Sequence, residues 1–287
     1  MPMQETLITG AVFGGLALLL FLSERFIPLR RVKRPLLGRL TVNLSFAAVA
    51  FVTVSLTVRP AAEAMLGWTG DSGFGLAQLA AIPPAVRPLL AFLLMDLTFY
   101  WWHRANHRIP LLWRFHNVHH LDPDMDVSTA FRFHFGELAF SSAFRVAQIG
   151  LIGPSLGSYL LYEAVFQAGT LFQHSNLRLP IGSERLLVRL LVTPRMHGIH
   201  HSQVPGETNS NYATLFSFWD RLHRSLRLNI PQSEIDIGIP GYAGDRDNSL
   251  GNALLAPFRT QRDYWRRADG IVPVRTGPAE DKSSLAP

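Results

Sequence analysis

The 287-residue chain has no cysteine. That excludes a disulfide framework, a thiolate zinc site, a Cys-ligated haem, a cysteinyl iron–sulfur cluster and a cysteine nucleophile. Charge is also scarce: Asp, Glu, Lys and Arg make up 17% of residues, against about 25% in an average soluble domain. With 48% hydrophobic residues, most of the chain is too apolar to remain unfolded. Residues 1–5 carry no Lys or Arg, so the apolar run behind them lacks the basic leader of a cleaved signal peptide. Histidine is absent from residues 1–102 and 224–287.

What is present first is uncharged length. Residues 6–22 and 40–58 carry no charge, and Asn43 is the one strongly polar side chain of the second run. Each approaches the roughly 20 residues that cross a bilayer as a helix. A third run, 73–102, is broken by Pro83-Pro84 and Arg87-Pro88. It reads as a short interfacial or re-entrant segment over 73–82 and a membrane helix over 88–102 carrying one acid, Asp96. A fourth, 138–172, contains Gly150, Gly153-Pro154 and Gly157, which predict a hairpin of half-spanning helices or one broken helix. Arg25, Arg30, Arg31, Lys33, Arg34 and Arg39 crowd residues 25–39, where there is no acid. Residues 59–87 balance Arg59 and Arg87 against Glu63 and Asp71. The positive-inside rule puts the first of these loops in the cytoplasm and the second outside, returning the chain to the cytoplasm at His103. A basic stretch between two spans is not a nucleic-acid patch, and no nucleic-acid partner is expected. The expected organisation is transmembrane helices over 1–102, a histidine-rich region over 103–240, and a polar tail over 241–287 whose end, 270–287, is disordered.

All 11 histidines lie between His103 and His223. His103 and His107 are four apart, one face of a helix leaving the membrane. His116-Asn117-Val118-His119-His120 follows, and the pattern returns as His197-Gly198-Ile199-His200-His201. His134 and His174 bring the set to ten. That is too many for one ion and suits two, each with four or five imidazoles. Redox chemistry favours iron, although the Glu and Glu-x-x-His ligands of carboxylate-bridged di-iron bundles are missing.

Asp96-Leu97-Thr98-Phe99-Tyr100-Trp101-Trp102-His103-Arg104, residues 115–120, 172–176 and 193–220, with Asn209-Ser210-Asn211-Tyr212 and Trp219-Asp220-Arg221-Leu222, resemble the fatty acid hydroxylase superfamily, also called the sterol desaturase family. The resemblance covers about residues 95–242. It implies an all-α integral membrane bundle of about four membrane regions under a cytoplasmic helical cap that carries a His-rich dimetal site. It further implies a non-haem di-iron oxygenase that hydroxylates or desaturates a sterol, fatty acyl or related lipid, using O2 and two electrons from a cytochrome or ferredoxin partner. The expected location is a bacterial inner membrane.

The implied ligands are His103, His107, His116, His119, His120, His134, His174, His197, His200 and His201. Asp96, Glu137, Asn176, Asn211 and Asp220 are candidates to bond those imidazoles, and Asn211 could act through a water. Phe99, Tyr100, Trp101, Trp102, Phe131, Phe133 and Phe135 are candidates to line an apolar cleft. Two places depart from the family pattern: His134-Phe135-Gly136-Glu137, where the family often has His-Pro, and His223-Arg224-Ser225 in place of Phe-Gly-Thr. His223 has no counterpart and reads as a surface histidine or one that supports a ligand from behind. Two other classes fit the histidines: a zinc-dependent membrane lipid hydrolase, and a non-enzymatic metal or haem membrane protein. Histidines gathered after the spans, rather than along them, argue against a carrier's path.

Overall fold

The computed structural model describes residues 3–79 and 81–275. Among them there is no strand beyond three isolated bridges. The helices that position the histidines are α1 (Met3–Phe26), α2 (Leu36–Thr53), α3 (Arg59–Ser72), α4 (Arg87–Arg108), α5 (Pro110–His120), α6 (Phe135–Ile152), α7 (Leu156–His174), α8 (Ile181–Leu187) and α9 (Pro194–His200). Proline opens α4, α5 and α9 at positions where a missing N–H costs nothing. The Thr193 hydroxyl caps α9 by accepting from the Met196 N–H at 3.3 Å.

The segment expected as an external loop over 59–87 is mostly helical. α2 continues through a π-helical turn, Val54–Val58, directly into α3. The polar residues that suggested a loop lie on the helix surface, where Arg59 and Glu63 pair at 2.8 Å one turn apart. The run Leu36–Gln78 is, among the described residues, the one helix long and apolar enough to cross a membrane. Four membrane regions were expected. Two of the other three carry polar residues that turn inward: Asp96 and His103 on α4, Glu137, Arg145 and Gln148 on α6, and Gln173 on α7 are all buried. Large apolar side chains face out instead, among them Leu18 and Leu19 on α1, Phe51 on α2, Leu89 on α4 and Leu161 on α7.

The expected hairpin forms as two whole helices, α6 and α7. Gly153 ends α6 in the left-handed region (φ 63°). Gly75 (φ 120°) presses against it so closely that a Cβ there would lie 2.5 Å from Gly153 backbone, which only glycine permits. α4 runs unbroken past position 102, so the expected division there falls inside a helix.

The polar tail over 241–287 packs part of its length onto the bundle. Tyr242 and Ala253 join Phe46, Trp113, Val118, Leu121 and Ile239 in one core cluster, with Tyr264 and Trp265 against it. Trp265 stacks on Trp113 at 5.9 Å. Isolated aromatics in an aperiodic sequence give no pattern to read, yet each buries a large apolar area. Arg275 pairs with Glu207 at 2.8 Å. Disorder was expected over 270–287; residues 270–275 are placed, Arg275 among them, and 276–287 lie outside the described residues.

The basic segment after α1 is folded into ion pairs. Arg39 meets Asp122 through two parallel bonds of 2.7 and 2.8 Å and reaches Asp126 at 2.7 Å. Arg25 also pairs with Asp126, Lys33 with Asp236, and Arg34 with Asp245. Asp124 accepts from the Lys33 and Arg34 amides. Asp122, Asp124 and Asp126 follow His120 directly in the chain, so the basic segment and the histidines share one end of the bundle.

Candidate metal centre

Nine histidines converge in two groups. His103, His107, His116, His120 and His200 form one, and His119, His174, His197 and His201 the other. Within each group the ligand nitrogens lie within 4.8 Å of one another. Helix geometry explains the sorting. At about 100° per residue, positions i and i+4 share a direction while i+3 turns away on the other side. On α5, His116 and His120 therefore face one group and His119 the other. His197, His200 and His201 divide in the same way at α9.

Four imidazoles are held by their Nδ1–H. His103 donates to the Tyr212 carbonyl at 2.7 Å, His200 to Ser210 at 2.7 Å, His174 to Thr170 at 2.8 Å, and His116 to Glu137 Oε1 at 2.8 Å. Each such bond fixes the tautomer that leaves the Nε2 lone pair bare. Those bare nitrogens crowd together. His174 Nε2 lies 3.0 Å from Nε2 of both His119 and His197, and His116 Nε2 lies 3.1 Å from His107 Nε2. Other buried ring nitrogens have no hydrogen-bond partner: both of His120, Nε2 of His200, and Nδ1 of His107, His119, His197 and His201. Burial first, then neighbouring imidazoles, hold His119, His120, His197 and His201 well below the ordinary imidazole value. The rings are neutral, as ligands must be. Converging lone pairs and orphaned nitrogens fit two transition-metal ions, one per group.

Local sequence features build this geometry. Asn211 takes the left-handed region (φ 52°), which asparagine tolerates. It lies between the two residues, Ser210 and Tyr212, whose carbonyls hold His200 and His103. Its side chain is consumed in the turn, bonding Met196 O, Arg227 O and Arg227 N. Gly198, inside the second motif, lies under the Arg30 guanidinium, where a Cβ would collide.

Beside the histidines lies a cavity of about 650 Å³. His103, His116, His119, His174 and His197 form part of its wall, and the rest is mostly apolar: Phe99, Trp102, Phe131, Phe133, Phe144 and Phe166, with Phe51 and Val54 from the outward-facing helix. Phe133 stacks on His119 at 4.8 Å and 5°. The cavity therefore runs from the exposed apolar surface of the bundle to both histidine groups.

The family model for fatty acid hydroxylase matches residues 88–225. Residues 88–225 are a fatty acid hydroxylase domain. The chain is 33% identical over 159 residues to an ornithine lipid hydroxylase of Rhizobium tropici, covering 55% of this chain and 47% of that protein. It is 33% identical over 186 residues to an alkylglycerol monooxygenase of Danio rerio, covering 63% and 39%. It is 28% identical over 142 residues to human cholesterol 25-hydroxylase, covering 48% and 50%. The chain thus spans about two fifths to a half of the length of these three relatives. No solved structure matches it.

The hydroxylase domain gathers nine of the ten expected ligands and leaves out His134. That residue caps α6: its Nδ1 accepts from the Gly136 N–H at 3.0 Å and its Nε2 lies 3.0 Å from the Leu254 carbonyl. Both of its nitrogens are engaged, and it lies outside both groups. His134→Ala should retain full metal content while losing about 1 kcal/mol of stability as a cap, read by metal analysis beside a melting curve.

Of the five supporting residues expected to bond an imidazole, Glu137 alone does so. Glu137→Ala should weaken metal binding about 10- to 100-fold, read by metal titration. Asp96 accepts from the Trp219 indole at 2.8 Å and the Phe216 N–H at 3.2 Å. It meets no imidazole: its bonded oxygen is taken up by Trp219 and Phe216. Asn176 is tied to the Arg30 backbone through its amide. Asp220 accepts from the Tyr212 and Ala213 amides at 2.8 and 2.9 Å and so steadies the carbonyl that holds His103. Burial pushes the Asp220 carboxyl up to about 6, leaving it ionised at neutral pH.

Four of the seven expected aromatics line the cavity: Phe99, Trp102, Phe131 and Phe133. Tyr100 is buried against Tyr212 and Val188, Trp101 is exposed, and Phe135 stacks on Phe258. His223 stacks on Tyr100, away from both groups. Sequence reading missed Ser210, Tyr212 and Thr170, which act through main-chain carbonyls that residue type does not reveal. Thr170 alone left a signal, the i−4 spacing from His174.

Proposed function

We propose that this chain is a membrane-bound oxygenase that hydroxylates a C–H bond of a lipid at an iron-loaded two-metal centre. One group would hold its ion through His103, His107, His116, His120 and His200, the other through His119, His174, His197 and His201. The observation that carries this reading is the cavity. An apolar space of about 650 Å³ has neutral, buried imidazoles of both groups in its wall, the arrangement needed to bring an unactivated hydrocarbon to a redox metal while keeping water out.

The balance is RH + O2 + 2 e⁻ + 2 H⁺ → ROH + H2O, the electrons coming from an external donor of cytochrome or ferredoxin type. Iron bound at the centre would supply the O2-activating redox chemistry. The chain's own residues do the rest. Phe131, Phe133, Phe99 and Trp102 hold the hydrocarbon and exclude water. Glu137 keeps the His116 proton on Nδ1, and the Ser210 and Tyr212 carbonyls do the same for His200 and His103.

Hydroxylation is favoured over desaturation, and oxygen chemistry over zinc hydrolysis, because the relatives are named as hydroxylases and monooxygenases. The Leu36–Gln78 run supports a membrane location, and the basic segment at the histidine end supports a cytoplasmic centre in a bacterial inner membrane. The test is metal analysis of gently purified protein, with product analysis of a membrane lipid extract under isotope-labelled O2. About two irons per chain and label in one new hydroxyl are expected. Zinc alone with full activity, or unlabelled product, overturns the reading.

A further inference from the structure

The cavity has a second polar feature, far from the histidines. Arg145 on α6 and Glu163 on α7 both line it and pair at 2.8 Å, with side chains 9% and 25% exposed. Gln148 accepts from the Arg145 guanidinium at 2.5 Å and is itself anchored on Met95 O and Thr98, so the cation is fixed in direction. The pair is set back from the centre. Arg145 lies about 12 Å along α6 from Glu137, the partner of His116, and Glu163 lies about 16 Å along α7 from His174. An ion pair within apolar helices is costly and is a candidate functional site by default. Among the described residues, each is the other's one ion-pair partner.

We propose that Arg145 and Glu163 form the polar-end subsite of the substrate cavity and select a lipid that ends in a hydroxyl. This rests on the oxygenase reading for what happens at the other end of the chain. A hydroxyl can give its proton to the Glu163 carboxylate and accept from the Arg145 guanidinium at once. Glu163 repels a carboxylate and Arg145 an ammonium, so neither replaces it. An extended chain advances about 1.2 Å per bond, so the separation along the helices places the reacting carbon about ten to thirteen bonds from the hydroxyl.

The probes are 1-hexadecanol, hexadecane and hexadecanoate, competing against labelled 1-hexadecanol for the metal-loaded full chain in detergent. Wild type should bind the alcohol at least about tenfold more tightly than the other two, as expected for a hydrogen bond to a charged group. Arg145→Met with Glu163→Met should keep hexadecane binding and shrink the alcohol's preference to within about twofold. Glu163→Gln removes the repelling charge and should raise hexadecanoate binding at least about tenfold relative to the alcohol, a gain that a mere staple between helices would not produce. No preference in wild type overturns the proposal. So does a double variant that melts earlier with its preference intact, or oxidation of hexadecanol next to its hydroxyl. Binding needs no turnover. Alcohol preference without O2-dependent product would sink the oxygenase reading alone, and labelled product without the preference would sink the subsite alone.

Discussion

His200→Ala should leave the protein without the ion of its five-histidine group and cut O2-dependent product by more than 100-fold. The bound is set by comparison: losing a partner that only orients a metal-bound imidazole costs about 10- to 100-fold, and a lost ligand must cost more. His200 is held from behind by the Ser210 carbonyl, and its Nε2 has no protein partner, so that lone pair is free for a metal. The variant should fold, because alanine removes a neutral ring and strands only one carbonyl. Metal content per chain and labelled product, measured on the same preparation, check this. Two full metal equivalents with wild-type turnover would remove His200 from the centre.

Arg39→Met should cost about 3–5 kcal/mol, the price of stranding buried carboxylates. Asp122 and Asp126 both rely on Arg39, and both are buried. Asp122 also accepts from Asn43 and Thr129, which binds α2 to the segment directly after His120. The same pairing sets a dependence on acid. Although burial raises it, the Arg39 charge and hydrogen bonds bring the Asp122 carboxyl down to about 2, from 3.8. An acid with a depressed folded value contributes its stability above the unfolded value and loses it as pH falls through the folded one. Wild type should therefore lose stability between about pH 4 and pH 2, and the Asp122 share of that loss should vanish in Arg39→Met. Denaturation midpoints across that range, in one detergent, measure both effects.

These two residues show what the sequence made legible. His200 stood out because helical spacing is local: two H-x-x-H-H motifs and one H-x-x-x-H already placed imidazoles in shared directions, and the structure brings nine of them together. Arg39 did not stand out. It reads as one base among six in a topological signal, while its partners lie more than eighty residues away. Asp96 was misread for a similar reason, since Trp219 reaches it across 123 positions. His134 shows the opposite hazard. An N-cap and a metal ligand ask for the same exposed ring nitrogen, and only the main chain around Gly136 and Leu254 decides between them. The helical content of 59–72 was hidden because surface ion pairs on a helix have the composition of a loop.

Glu24, near the end of α1, accepts from the amide of Asn176 at 2.6 Å and from that of Val127 at 3.2 Å. One of those amides lies just past His174, and the other opens the short helical turn that leads to Phe131 at the cavity wall. The first helix therefore clamps the footing of one histidine and one side of the apolar chamber, so trimming the chain at Arg25 would take away part of the scaffold on which the histidines stand.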